Sequence, residues 1–304
     1  MAYPLRSKGP FAVSQQEKAN REPMQHQQSQ EFHGKTVLVT GAGSGMGEAA
    51  ARLFAARGAS VVLAGRRSPE LERVAAQISA DGGEALAVTA DVSDEAHVQS
   101  LVAQAVARFG RLDAAFNNAG TEGAFAPITE LSAADFDATM AVNLRGVWLC
   151  AKYEIEEMLR LGNGGAIVNT SSWLAHGAFP GSSIYSASKA ALDGMIRALA
   201  QEVADQGLRV NNVNPGIIDT PMLRRFGDDA AMRRFIEHTP ARRLGTPEDV
   251  AEVVAWLCSD GAHFITGQNI LVDGGYAIPG HRAWTGGAVS ANGRAAATGA
   301  PLKP

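Results

Sequence analysis

The chain has 304 residues, 46% hydrophobic and 19% charged, with a formal net charge of -4 at pH 7. This suits a globular α/β protein, in which about 250 residues can share one core; the mild acidity offers no diffuse basic surface for nucleic acid or an anionic membrane. No apolar run reaches the ~18 residues of a membrane span, and the N-terminal stretch lacks the apolar core of a signal peptide, so the expected compartment is the cytoplasm. Cys150 and Cys258 are too few and too far apart for a disulfide framework or a clustered metal site, and each reads as an inert buried thiol.

Residues 1–33 are polar and Gln-rich, without helical or strand period, and read as a flexible arm. From Gly34 short β-branched or aliphatic runs alternate with Ala-rich segments of helical period. Strands are expected at Thr36–Thr40, Ser60–Ala64, Ala85–Thr89, Ala114–Phe116, Ala166–Thr170, Arg209–Val213 and Asn269–Val272. Helices are expected around Gly47–Ala56, Glu70–Asp81, Glu95–Phe109, Ala133–Leu161, Ser183–Gln206 and Pro247–Cys258. The alternation predicts a doubly wound α/β fold, a single seven-stranded parallel sheet with helices on both faces, over residues 34–278. Residues 220–244 break the rhythm and read as an amphipathic helical lid whose paired charges form its wet face, and residues 279–304 read as a tail.

Thr40-Gly41-Ala42-Gly43-Ser44-Gly45-Met46-Gly47 joins the first strand to a helix. Glycines there let backbone N–H groups and the helix N-terminus approach a pyrophosphate. A carboxylate at the end of the second strand would hold the ribose 2′-hydroxyl of NAD; this strand ends instead in Gly65-Arg66-Arg67. An arginine there suits a 2′-phosphate, so NADP(H) is favoured over NAD(H), unless both arginines are simply solvated charges. Asp91-Val92 and Asn117-Asn118-Ala119-Gly120 close the third and fourth strands at the edge where a dinucleotide binds. Asp91 is either an adenine acceptor or a helix cap, and the asparagine pair can bond backbone across strands.

Tyr185 and Lys189, spaced i, i+4, share a helix face. An ammonium beside a phenol lowers its pKa toward the range of proton exchange with a carbinol oxygen. Ser172, with Ser171 as the near alternative, ends a strand at the same sheet edge and can polarise that oxygen. Asn143, polar within an apolar helical stretch, is either a satisfied core amide or the holder of a water leading to Lys189.

With these motifs in this order the chain resembles the short-chain dehydrogenase/reductase family over about residues 34–278, Asn214-Pro215-Gly216 and Thr220 included. The resemblance implies a Rossmann fold with Tyr185 as proton donor or acceptor and Lys189 on the nicotinamide ribose. It gives Ser172 the orientation of the substrate oxygen and Asn143 the support of a proton relay. It places Thr40, Gly41, Ser44, Gly45, Met46, Gly47, Arg66, Asp91, Val92, Asn118, Ala119 and Gly120 on the cofactor, with Pro215, Gly216, Ile218 and Thr220 at the nicotinamide. It also implies a homotetramer or homodimer through the helices Ala133–Leu161 and Ser183–Gln206. The arm and the tail depart from the family pattern, and Ser44 stands where NADP-using relatives often carry a basic residue.

Trp173, His176 and Phe179, with Glu122, Met222, Leu223 and Phe226, are expected around a mostly apolar, medium-sized carbonyl or alcohol, though taken alone His176 reads more readily as a loop or packing residue. The expected activity is carbonyl–alcohol interconversion, with NADPH-dependent ketone reduction favoured. An epimerase or dehydratase using the same site and a non-catalytic dinucleotide sensor are the alternatives.

Overall fold

Val37 and Val39 of strand β1 (Thr36–Thr40) enter one hydrophobic cluster while Leu38 enters another, because successive strand side chains point to opposite faces. All five β1 residues are buried, as the centre of a two-faced sheet requires. A computed structural model describes residues 30–278; the tail and the arm up to residue 29 lie outside the described residues. The other strands are β2 (Ser60–Gly65), β3 (Glu84–Thr89), β4 (Ala114–Asn117), β5 (Gly165–Thr170), β6 (Leu208–Pro215) and β7 (Asn269–Val272). They form the expected seven-stranded sheet in the order β3-β2-β1-β4-β5-β6-β7, with every pairing parallel.

Helices α1 (Gly45–Ala56), α2 (Ser68–Ala80) and α8 (Pro247–Cys258) supply side chains to one cluster. Helices α3 (Glu95–Phe109), α5 (Val147–Leu161) and α6 (Ser183–Val203) supply the other. Helix ends follow local chemistry: Asp94 accepts from the Ala96 and His97 amides at the start of α3, and Thr246 with Asp249 forms a capping box at α8. The chain winds outward from β1 to β3, then crosses to β4 on the other side. A crevice therefore opens at the carboxyl ends of β1 and β4, where ligands of such folds bind.

Asn117, Asn169, Asn212 and Asn269 are register neighbours on β4 to β7. Their amides, the first three buried, form a ladder with steps of 3.1, 3.1 and 2.9 Å. Hydrogen-bonded polar groups inside a core fix its register because each costs free energy when left unpaired. The ladder keeps these strand ends level just beneath the crevice.

Two expectations change. Phe32, assigned to the arm, is fully buried and packs edge-on against Phe54 at 5.0 Å, so the folded unit begins before Gly34. The single helix Ala133–Leu161 is α4 (Ala133–Met140) and α5 joined by a widened π-helical turn, Ala141–Gly146, which carries Asn143. Within residues 220–244 the expected helical structure is a short 3-10 turn, Leu223–Phe226, followed by α7 (Asp229–His238).

Candidate active site

The cofactor cleft is built where β1 turns into α1. Gly41 has φ 66°, and a Cβ there would lie 2.9 Å from Asn118 Nδ2. A Cβ on Gly47 would run into the Gly41 carbonyl oxygen, so the turn closes only with glycine at both places. The residues fit a dinucleotide: Gly41, Gly43, Ser44, Gly45 and Met46 line the cleft at the N-terminus of α1, where free N–H groups favour a phosphate. Arg66, Asp91, Val92, Asn118, Ala119, Gly120 and Thr220 continue the lining, with Val142 an unforeseen addition.

Two motif residues act otherwise than expected. Thr40 is buried and outside the lining, its Oγ1 accepting from the Asn118 and Ala119 amides at 3.0 Å. Gly47 serves the packing of the turn rather than the lining. Both hold the phosphate-binding turn from behind.

At the adenosine end Arg66 and Arg67 both face the cleft, and Arg67 Nη2 donates to Ser44 Oγ at 3.3 Å. Asp91 is an Asx turn and not the cap of α3: its Oδ1 accepts from Ser93 N at 2.9 Å and Ser93 Oγ at 2.7 Å. Burial would raise its pKa, but the Ser93 hydrogen bonds and the Arg66 charge together lower it, so Asp91 is an ionised acceptor.

Helix α6 brings Tyr185 and Lys189 beside the end of β5. Ser172 stands beside the Tyr185 hydroxyl and lowers its pKa, and its Oγ accepts from Leu174 N at 3.1 Å. Ser171 turns away, its Oγ 2.9 Å from Asp193 Oδ1, which settles the choice of serine beside the phenol. Asn143 is fully buried; its Oδ1 accepts from Thr121 N and its Nδ2 donates to Thr121 O, both at 2.8 Å, and to Ser188 Oγ at 3.2 Å. A Cβ on Gly120 would sit 3.3 Å from Asn143 Oδ1 and 3.6 Å from Lys189 Nζ, so the three residues meet at one point.

The electrostatics correct one expectation. Lys189 Nζ donates to Thr170 O at 2.7 Å and lies 5.8 Å from the Tyr185 ring centroid. Burial pushes the Tyr185 phenol up, with the Glu122 charge adding to it and Ser172 only partly offsetting it. The protein's own groups therefore keep Tyr185 protonated. Burial brings Lys189 down to about 8, against the pull of Asp193.

Over Tyr185 and Ser172 lies a small open hollow of about 150 Å³. Trp173 and Phe179 line it as expected, as do Met222, Leu223, Phe226 and Glu122; Pro215, Gly216 and Ile218 form the side toward the cofactor. Phe125 and Phe235 were missed. Phe125 is the hub of the aromatic wall, with centroids 5.1 Å from Phe226, 6.0 Å from Tyr185 and 6.4 Å from Phe179. A lone phenylalanine in a loop carries no periodic signal, so only the folded chain reveals it. His176 is corrected: it is absent from the cavity wall, and its Nε2 sits 3.0 Å from Asp193 Oδ2. Arg225 stays on the exposed face of this segment, as expected, and also pairs with Glu122 at 2.8 Å.

Cys150 and Cys258 are buried free thiols; burial raises the first well above its ordinary value and the second to about 12, which leaves both inert near neutrality. Among the described residues no helix is long and apolar enough to cross a membrane.

A family model described as enoyl-(acyl carrier protein) reductase matches residues 41–277. The chain is 40% identical over 248 residues to 2,5-dichloro-2,5-cyclohexadiene-1,4-diol dehydrogenase of Sphingobium indicum, covering 81% of this chain and 98% of that one. It is 41% identical over 248 residues to cyclohexanol dehydrogenase of an Acinetobacter species, covering 82% and 97%. The crystal structure of levodione reductase superimposes with a TM-score of 0.76 at 37% identity, covering 81% of this chain and 98% of that one. The chain belongs to the short-chain dehydrogenase/reductase family, nicotinamide-dependent oxidoreductases of carbonyl and alcohol groups.

Proposed function

We propose that this enzyme reduces a compact, mostly apolar ketone, alicyclic in the favoured case, to a secondary alcohol with NADPH, and runs reversibly. The observation that carries the reading is the Tyr185 hydroxyl, held protonated beside Ser172 beneath an aromatic cavity. A protonated phenol is the form that donates to a carbonyl oxygen. The names of the cyclohexanol and dichlorocyclohexadienediol dehydrogenases support a ring-shaped substrate.

The dinucleotide, when bound, supplies the hydride. Tyr185 and Ser172 both donate to the carbonyl oxygen, stabilising charge as it develops there, and Tyr185 gives up its proton. Lys189 holds the nicotinamide ribose, and its ammonium favours the phenolate left behind. Asn143, beside Gly120 and Lys189, anchors the inner end of the path that returns the proton. The cavity wall excludes water from the carbonyl.

Arg66 and Arg67 at the adenosine end support NADPH, because a guanidinium pairs with a 2′-phosphate. Titration should show NADPH binding at least ~10-fold tighter than NADH, about 1.4 kcal/mol. Equal affinities would remove the role given to Arg66. Tyr185→Phe should keep NADPH affinity and lose at least ~100-fold in turnover of cyclohexanone; undiminished turnover would discard Tyr185 as donor.

A homodimer or homotetramer through α4, α5 and α6 is part of the same reading. Trp148, 46% exposed, stands with Met140, Leu144 and Met195 around an outward apolar groove, which supports it; light scattering of the purified chain tests it. The two buried reduced thiols suit a cytoplasmic enzyme.

A further inference from the structure

Helix α6 carries a third polar residue on the face of Tyr185 and Lys189, one turn further on. Asp193 has only 8% of its side chain exposed, and its carboxylate collects donors from outside its own helix. Ser171 Oγ approaches Oδ1 at 2.9 Å, Asn212 Nδ2 at 3.0 Å, and Asn214 Nδ2 lies 3.3 Å from Oδ2. His176 Nε2 completes the set at 3.0 Å. A carboxylate accepts, so in this contact His176 presents Nε2–H to it.

These donors sit on the segments that shape the catalytic site. Ser171 precedes Ser172. Asn214 Nδ2 also donates to Ser172 O at 3.2 Å and immediately precedes the Pro215-Gly216 wall. His176 ends the turn Trp173–Ala175, whose Leu174 amide bonds Ser172 Oγ and whose Trp173 lines the cavity. A side chain whose rotamer is fixed by several hydrogen bonds can hold neighbouring groups in a productive geometry.

We propose that Asp193 and His176 form a positioning pair: the buried carboxylate gathers β5 and β6 against α6, and His176 clamps the Ser172–Trp173 turn onto it. The pair sets the geometry of Ser172 against Tyr185 and thus the rate of the chemical step, not capture of the substrate. The proposal rests on the reading of the site given under Proposed function. The charged and titratable groups about Asp193 are Lys189 and the Arg197 guanidinium on its own helix and His176 on the turn; β5 and β6 face it with uncharged Ser171, Asn212 and Asn214. Lys189, one turn away, feels the Asp193 charge as support for its ammonium.

The test compares the full-length wild type with Asp193→Asn, His176→Ala, His176→Gln and Tyr185→Phe, using cyclohexanone and NADPH. Asparagine keeps the shape of aspartate but offers one acceptor oxygen, so its amide N–H groups meet donors. Asp193→Asn should lose at least ~10-fold in kcat with KM and NADPH affinity within ~2-fold, and the alkaline limb of its rate profile should move to lower pH. His176→Ala should lose several-fold in kcat, and His176→Gln, which restores an N–H donor, should recover most of it. Hydrogen exchange of the Leu174 amide supplies a readout that needs no turnover. It should quicken ~10-fold in Asp193→Asn and His176→Ala and return to wild-type rates in His176→Gln.

Wild-type kcat and exchange in Asp193→Asn would overturn the proposal, as would a loss shared equally by kcat, NADPH affinity and thermal stability. Turnover that survives in Tyr185→Phe would instead locate the error in the reading of the site, while exchange at Leu174 would still decide the role of the pair.

Discussion

Glu154 lies fully buried on α5; Asn117 Nδ2 donates to its Oε2 at 2.9 Å and Oε1 has no partner. Burial raises its carboxyl from the ordinary 4.5 to about 7, against a smaller lowering by Asn117. Between those values the folded chain holds a proton that the unfolded chain releases. Stability is therefore full below pH 4.5, falls as pH rises toward 7 and levels off above it. Glu154→Gln should match the wild type in denaturant near pH 4 and exceed it by up to about 3 kcal/mol at pH 8; equal stability at both pH values would refute the assignment. Tyr185, Lys189, Ser172 and Asn143 were legible as chemistry because type and spacing together are informative. Glu154 was not. In Lys152-Tyr153-Glu154-Ile155-Glu156-Glu157 it is one of three glutamates, and only the packing of α5 puts it inside while Glu156 stays exposed.

Elements with a strong period could be read closely, since β1, α3, α8 and β7 begin and end where the pattern predicts. The π-helical turn at Asn143 leaves no such trace: the apolar period runs on through it, and the widening fits the Asn143 amide to the Thr121 backbone. The lid shows the opposite limit. Its charges read as a wet face, yet Arg225 pairs with Glu122 across the cavity mouth, and Phe226 meets Phe125 beside it. Because Arg225 is largely exposed, the ion pair contributes at most about 1 kcal/mol. Arg225→Ala should therefore raise KM by no more than about fivefold, leave kcat nearly unchanged and quicken hydrogen exchange across Leu223–His238. Unaltered exchange there would show that the ion pair does not hold the lid.

For the whole molecule, the start of the folded unit is a matter of burial. Phe32 follows a polar stretch and looks like its last member, but its ring fills the space against Phe54 on α1, and its N–H bonds Arg57 O at 2.9 Å. Phe32→Ala should cost about 3–5 kcal/mol and lower Tm by roughly 10 °C. A shift of only a degree or two in a thermal melt would return Phe32 to the arm.

The amino-acid sequence alone determined the strand and helix order, the glycine turn and the candidate acid–base residues. Each of these depends on local period, backbone freedom or side-chain type, which neighbouring residues suffice to express. Tertiary structure decided which groups meet. Tyr185 stays protonated because burial outweighs the influence of Ser172, His176 meets Asp193 outside the cavity wall, and Phe125 becomes the cavity hub. Desolvation and contact depend on segments distant in the chain, and no spacing within one segment encodes them.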